Sequence, residues 1–354
     1  MPPSTPSRSL CIVRGSINVD EFFHVHDIVK AGETISSTDY ERKPGGKGAN
    51  QAVAVARAGG AVEFVGGIGD DGAWLVGCLA DVGVGVSGIT RFNDVPTGRA
   101  IIQLDKNGEN CIILHRGANY GPVPPIPSAC LQSATHLLLQ NEIPYETTLF
   151  SILLANSLGI STIFNPSPIP SAEQLRSFPW DKLTWLVMNE HEMYALYHAL
   201  DAENVDLGSG EVSWPPDYQG GRKPPPRLLV CAFIVRILNT KHFSPNVHIV
   251  CTVGSEGVVC YMRNLGGPVF LPASELKGDI RDTTGAGDCF TGYFVAELMK
   301  LYEETGHHIP QTTTQITDLL IRCNQAAGMC VERRGAMEAI PSDKEVEERL
   351  ATRS

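Results

Sequence analysis

Strand-length apolar runs alternate with helix-forming segments along most of this chain, and no other feature narrows the fold as far. Leu10-Cys-Ile-Val13, Val62-Glu-Phe-Val65, His136–Gln140, Ser161–Phe164, Trp185–Met188, His248–Val253 and Val258–Met262 supply the strands. Several lack polar alternation, the pattern of a strand covered on both faces. Between them comes Ala49–Ala58, a strong helix former stopped by Gly59-Gly60. Further helices run from about Gly72 to Leu79, around Thr147–Ser157 and onward from Glu190. Strand and helix in turn predict an α/β fold: a doubly wound, mostly parallel sheet flanked by helices. Two helices, roughly Ala286–Leu301 and Thr317–Glu332, close the chain across a longer connection at 303–314.

Two stretches break the rhythm. Val19 to Pro44 is polar and alternating, with Gly32 as a break. Ala100–Leu104 and Cys111–Leu114 are β-rich runs joined by Asp105-Lys-Asn-Gly108, and an Asn-Gly pair between such runs signals a hairpin. Segments 19–44 and 97–118 together predict a small β-sheet lid. The second break, 201–228, is rich in Pro, Gly and charge, including Pro224-Pro-Pro226, and reads as a surface insertion rather than a domain. The expected organisation is a disordered Pro/Ser-rich lead-in over 1–9, one domain over 10–345 and a tail over 346–354.

With 354 residues and a 43% hydrophobic fraction the chain can bury a sizeable core. Its net charge is 28 − 39 = −11, and no basic run offers a nucleic-acid phosphate backbone anything to hold. The ten cysteines include no C-x-x-C pair. They read as reduced core thiols in a soluble cytoplasmic protein, with the nucleus also open to it. No apolar stretch reaches membrane-spanning length, and the first residues lack a secretory signal core.

Chemistry concentrates in two glycine-rich segments. Asp282-Thr-Thr-Gly-Ala-Gly-Asp288 precedes an apolar helix. Gly285, Ala286 and Gly287 can present unpaired main-chain N–H groups at the helix start, where the dipole also favours an anion. A carboxylate beside a bound phosphate repels it, so Asp288 is placed there for a task, and proton abstraction from an attacking hydroxyl is such a task. By itself the segment is equally consistent with a glycine turn capped by Asp. Pro44-Gly-Gly-Lys-Gly-Ala-Asn50 also opens a helix, with Lys47 and Asn50 as donors. It has neither the Walker spacing nor G-x-G-x-x-G. The first strand is followed by Gly15-Ser-Ile-Asn-Val-Asp20, which lacks the dinucleotide glycines and so argues against a nicotinamide dehydrogenase.

Asn18 and Asp20 share one face of an extended segment at the carboxyl end of the first strand, suited to vicinal hydroxyls or to an Asx turn. Later strands also end in polar residues: Glu142 after Leu137-Leu-Leu139, Asn165 after Phe164, Asn189, Glu190 and Glu192 after Met188, Thr252 and Gly254 after Val250. Each alone can be a satisfied loop end. Together they would line one edge of the sheet, where doubly wound folds bind ligands.

The pair Gly45-Gly-Lys-Gly-Ala-Asn50 and Asp282-Thr-Thr-Gly-Ala-Gly-Asp288 resembles the two signatures of the ribokinase-like, or pfkB, carbohydrate kinases. The resemblance runs from about residue 10 to 345 and is nearest to the ribose-phosphorylating members. It implies transfer of the γ-phosphate of ATP to the 5-hydroxyl of D-ribose, with Asp288 as base. Asn18, Val19, Asp20, Gly46, Lys47, Gly48, Ala49, Asn50 and Glu142 would bind the sugar; Gly117-Ala-Asn119 matches a further family motif after the lid hairpin. Asn189, Thr252, Val253, Gly254, Ser255, Glu256, Gly257, Gly285, Ala286, Gly287 and Asn324 would bind the nucleotide. Glu192 would help hold Mg2+ through water. Asp282, Thr284, Cys330, Arg333, Gly335 and Ala339 would hold K+, mostly through carbonyl oxygens, with Ala339 standing where a Ser is often found. The resemblance also implies a homodimer paired through the lids. Other acceptors stay open: fructose, 2-keto-3-deoxygluconate, or a nucleoside stacked on Phe22, Phe23 or Tyr40. A sugar-sensing protein that had lost catalysis would show a broken glycine run or a missing Asp288, and both are intact.

Overall fold

The computed structural model describes residues 8–106, 109–201 and 225–352. The elements begin with β1 (Leu10–Arg14), β2 (Asn18–His24), β3 (Asp39–Gly45), α1 (Lys47–Arg57), β4 (Ala61–Gly69), α2 (Ala73–Asp81) and β5 (Gly85–Phe92). Next are β6 (Gly98–Leu104), β7 (Asn110–His115), α3 (Ser128–Ser133), β8 (His136–Leu139), α4 (Tyr145–Ser157), β9 (Ser161–Phe164) and α5 (Ala172–Ser177). The chain continues through β10 (Trp185–Asn189), α6 (Glu190–Leu200), α7 (Pro226–Ile237), β11 (His248–Thr252), β12 (Val258–Met262) and β13 (Gly267–Leu271). It ends in α8 (Ala286–Thr305), α9 (Thr313–Val331) and α10 (Asp343–Ala351).

The described residues form a nine-stranded sheet in the order β13-β12-β11-β10-β9-β8-β1-β4-β5. All its neighbours pair in parallel except β11–β12 and β12–β13. Alternate side chains of β1 enter different cores, as period two requires. Cys11 and Val13 join the core under α1, α8 and α9, while Ile12 joins the one under α4, α6 and α7. The expected doubly wound sheet is therefore what forms. A separate sheet, β3-β2-β6-β7, is the expected lid.

Several boundaries differ from the expectation. The connection expected at 303–314 is shorter, because α8 runs to Thr305 and α9 starts at Thr313. Strands β5 and β13 and helices α7 and α10 were not foreseen. β13 opens on Gly267-Pro268, which reads as a turn, and α7 begins inside a proline run, although Pro at the first helical position suits a helix start. Residues 202–224 of the expected insertion, Asn107-Gly108 of the hairpin and residues 1–7 of the lead-in lie outside the described residues. Ser9, expected to be disordered, is fully buried: its N–H donates to Glu303 Oε1 (2.7 Å) and its hydroxyl to the Met299 carbonyl (3.2 Å). The tail expected from 346 is mostly α10, whose Val346 is also fully buried.

Helix α8 lies closely against α1. A Cβ on Gly292 would stand 2.3 Å from Ala54 Cβ and 2.6 Å from the Gln51 carbonyl oxygen. Gly→Ala in a helix ordinarily gains about 1 kcal/mol. Overpacking a filled site costs about 1–3 kcal/mol, and here part of the obstacle is main chain, which cannot rotate away. Gly292→Ala is therefore expected to destabilise the protein by roughly 1–2 kcal/mol, read as a lower denaturation midpoint at unchanged slope.

Candidate active site

The carboxyl ends of β1, β8, β9, β10 and β11 fall on one edge of the sheet, and the starts of α1 and α8 converge there. A cavity of about 210 Å³ opens between them. It gathers Lys47, Asn189, Glu192, Thr252, Gly285, Gly287 and Asp288 from among the expected residues. Asn165, expected at this edge as a polar strand end, also lines it, as do Ser167 and Thr291, to which no role had been assigned.

Both helices start on a glycine at positive φ. Gly46 (φ 93°) precedes α1, and its missing Cβ leaves room for the main chain of Ile17 and Asn18 at 2.8 Å. Gly285 (φ 76°) precedes α8 and lies as closely against Ala336. Ala286, Gly287 and Asp288 are the first three residues of α8, and Cys289 is the residue that bonds back to the Gly285 carbonyl (2.8 Å). The Ala286 N–H makes a long bond to the Thr283 carbonyl (3.4 Å), and the N–H groups of Gly287 and Asp288 have no intrahelical acceptor, as at any helix start, where an anion can be received.

Asp288 is buried in that first turn. Asn50 Nδ2 donates to its Oδ2 (3.1 Å), and Gln51 Nε2 donates to its Oδ1 (2.9 Å). Gln51 was missed at the sequence level. Its signal was a second large amide, directly after Asn50, in a helix whose other buried residues are Gly, Ala and Val. Burial pulls the Lys47 ammonium pKa down, but Asp288, Glu142 and Glu192 outweigh it and hold the value above the ordinary one. Lys47 is thus a cation at neutral pH inside a ring of carboxylates.

On the lid side, Glu142 Oε2 accepts from the Ser16 hydroxyl and from the Lys47 main-chain N–H (3.1 Å), tying the glycine turn to the β1 loop. Asn119 fixes Asn18: its Oδ1 accepts from the Ile17 N–H (2.9 Å), so its Nδ2 must donate to Asn18 Oδ1 (2.7 Å). The Asn18 amide nitrogen is left to face a ligand acceptor. Asp20 is buried, and its Oδ1 has no hydrogen-bond partner among the described residues. Burial, then the fields of Glu142 and Asp288, push its carboxyl up to about 7. A buried orphan acceptor of this kind suits a ligand that brings hydroxyl donors.

The loop after β11, expected to bind the nucleotide, turns through Gly254 and Gly257, both at positive φ, with Val253 buried before them and Ser255 exposed between them. Glu256 pairs with Arg227, which also pairs with Glu190. Asn189 and Glu192 form a reciprocal capping box at the start of α6, which occupies Glu192 Oε2. Its carboxylate can therefore reach a metal's water shell but is not a free bidentate ligand. Asn324 is not among the residues that line the cavity and donates to the Pro272 carbonyl (3.0 Å). Asp282 bridges two loops, accepting from Thr284 N (2.9 Å) and Gly335 N (3.0 Å). Cys330 and Ala339 are buried behind it, and Arg333 N bonds the Cys330 carbonyl (3.0 Å). Both Asp282 carboxylate oxygens and the Cys330 carbonyl thus each accept a main-chain N–H from the loops they join.

An open parallel sheet, a lid sheet, an anion cradle at a helix start and a buried carboxylate beside it define a small-molecule kinase. The chain matches the pfkB family carbohydrate kinase profile over residues 8–209 and 234–343. It is 30% identical over 352 residues to the ribokinase of Schizosaccharomyces pombe, covering 95% of this chain and 96% of that one. The ribokinase of Cryptococcus neoformans in complex with ADP superposes with a TM-score of 0.80 at 45% identity, covering 97% of this chain and all of the other. Arabidopsis thaliana ribokinase complexed with ribose and ATP gives 0.74 at 26%, covering 97% and 99%. This chain belongs to the pfkB family of carbohydrate kinases.

Asp20 has a folded pKa of about 7 against an ordinary 3.8. Between those values the native state binds the proton more tightly than the unfolded chain, so Asp20 lowers stability progressively as pH rises from about 4 to about 7. Asp20→Asn removes that penalty. Its Tm is expected to exceed the wild type's increasingly from pH 5 to pH 8; a constant offset across that range would contradict the burial argument.

Proposed function

We propose that this kinase transfers the γ-phosphate of ATP to the 5-hydroxyl of D-ribose, with Asp288 as general base. The observation that carries the reading is the carboxylate of Asp288, buried at the first turn of α8 between two amide donors and facing the same cavity as Lys47. The relatives that hold ribose and ATP, or ADP, supply the substrates in this reading. Asn18, Asp20, Asn50 and Glu142, with the turn Gly46–Ala49, hold the sugar. Asp20 brings the orphan acceptor that hydroxyl donors satisfy.

Asp288 takes the proton of the attacking hydroxyl at a carboxylate oxygen. The N–H groups of Gly285, Ala286 and Gly287 and the Lys47 ammonium stabilise charge on the transferring group. Positioning and electrostatics carry most of such a transfer. Asn189 and Glu192 would hold Mg2+ through water, and the ion would neutralise phosphate charge there. K+ would sit between the loops joined by Asp282, where Thr284, Cys330, Arg333, Gly335 and Ala339 offer oxygens, and would rigidify the start of α8. The lid excludes water that would compete as acceptor. A cytoplasmic location goes with ten free cysteines.

Nucleoside acceptors lose support from the lid's pleat. Phe23 and Tyr40 pair with each other (centroids 5.0 Å apart) on the face opposite Asp20, which leaves Phe22 as the aromatic beside the site. Asp288→Asn is expected to lose on the order of 10²–10⁴ in kcat while keeping ribose and ATP affinity by calorimetry. Near-native turnover would remove Asp288 from the role. A panel of ribose, fructose, 2-keto-3-deoxygluconate and nucleosides, run with ATP and with or without potassium, should show ribose preferred by kcat/KM.

Strand β7 is the outer strand of the lid, exposed along its whole length, with Ile112, Ile113 and Leu114 each more than half exposed. An apolar open edge calls for a partner strand, and a second copy of the lid is the partner in this reading. Light scattering at micromolar concentration is expected to give a dimer; a monomer would refute it.

A further inference from the structure

Behind Asp288 lies a row of side-chain amides whose hydrogen-bond sense is fixed from one end. The Val187 carbonyl can only accept, so Asn165 must turn its Nδ2 toward it (2.9 Å). Asn165 Oδ1 then faces Gln51 and accepts from Gln51 Nε2 (3.0 Å). Gln51 Oε1 is thereby turned the other way, where it accepts from Gln140 Nε2 (2.6 Å). The second proton of Gln51 Nε2 has one acceptor in reach, Asp288 Oδ1 (2.9 Å). Gln51 and Gln140 are both fully buried, and Asn165 is 8% exposed, so bulk water does not compete for these bonds. The row starts at the carboxyl ends of β9 and β10, crosses α1 and ends on α8.

We infer that Gln51 is a positioning residue for the phosphoryl-transfer step: held rigid by Asn165 and Gln140, it fixes the plane of the Asp288 carboxylate and keeps one oxygen engaged as an acceptor. The inference rests on the reading of Asp288 as base. A carboxylate has two free torsions. Asn50 alone, bonded to Oδ2, leaves it free to swing about that bond. A second donor on Oδ1 removes the swing, so the lone pair that takes the substrate proton points the same way in every turnover. Each oxygen spends one lone pair on an amide, and the remaining one stays available. Gln51 is fully buried and bonds two residues that line the cavity, Asp288 and Asn165. With both Nε2 protons and Oε1 engaged, it acts through Asp288, not on the sugar or the nucleotide.

The test is steady-state kinetics of the full-length protein with ribose and ATP across pH, for Gln51→Leu, Gln51→Glu and Asp288→Asn. Gln51→Leu should lower kcat on the order of 10²-fold, the cost of a misplaced catalytic group, with both KM values within about threefold of wild type. Gln51→Glu is nearly isosteric and gives a readout that a structural role would not move. Ionised, it places a second carboxylate against Asp288; protonated, its O–H donates to Asp288 Oδ1 in place of the amide. The ratio of its kcat to the wild type's should therefore rise as pH is lowered from about 8 to about 6. A flat ratio, or Gln51→Leu with kcat within about twofold of wild type, overturns the inference. Should Gln51→Leu fail to fold by circular dichroism, the Gln51→Glu ratio decides alone. If Asp288→Asn itself turns over normally, the base reading fails and takes this one with it. If Asp288→Asn is dead while both Gln51 variants match wild type, the Gln51 role alone fails.

Discussion

Everything at the active edge depends on how closely α1 lies on α8. Gly292 makes that approach possible, because the place of its absent Cβ is occupied by Ala54 and by the main chain at Gln51. Asn50 and Gln51 on one helix thereby reach Asp288 on the other with bonds of 3.1 and 2.9 Å. The same crossing points the two glycine-led helix starts into one cavity. A wider crossing would separate the base from both of its amide donors and would also pull the phosphate cradle away from Lys47.

Charge in the cavity is arranged around a deficit of cations. Asp288, Glu142 and Glu192 act on Lys47, Glu142 and Asp288 also act on Asp20, and the result is visible at both signs. Lys47 is held protonated against its own burial, while Asp20 is pushed up to about 7. Such a site does not bind polyphosphate by excess positive charge. Directed main-chain N–H groups at the start of α8 are the other donors available to an anion, and among these carboxylates Asp20 alone keeps a buried oxygen without a partner among the described residues. Glu142 and Glu192 also fasten main chain, so the acids that shape the field shape the loops as well.

Much of this was legible in advance because it lives in local pattern. Apolar runs of strand length separated by helix formers determine a parallel sheet, and a polar residue after each run falls on the same edge once the strands are parallel. The glycines of Gly285-Ala-Gly-Asp288 before an apolar run mark a helix start from local pattern alone. Gln51 was not legible. In the sequence it is one more helical residue, and its importance comes from Gln140, Asn165 and Asp288, which lie 89, 114 and 237 positions away. Strand β13 and helix α7 were hidden for a different reason: Gly and Pro at their starts are turn signals in short windows, overridden here by the sheet edge and core that receive them. Val346 makes the same point for α10, since a charged C-terminal segment reads as a tail until Val346, with Leu350 beside the same cluster, finds a core.

The sequence by itself determined the fold class, the lid, the two glycine motifs and Asp288 as the candidate base, because period, turn chemistry and helix-start chemistry act over a few residues. At that level Asp288 stood level with a capped turn. Only the tertiary structure decided that its carboxylate is gripped from two sides, that Asp20 is buried without a partner, and that Asn324 is not among the residues that line the cavity. Those facts depend on which distant side chains share a space from which water is excluded, and no local rule of chain geometry contains that information.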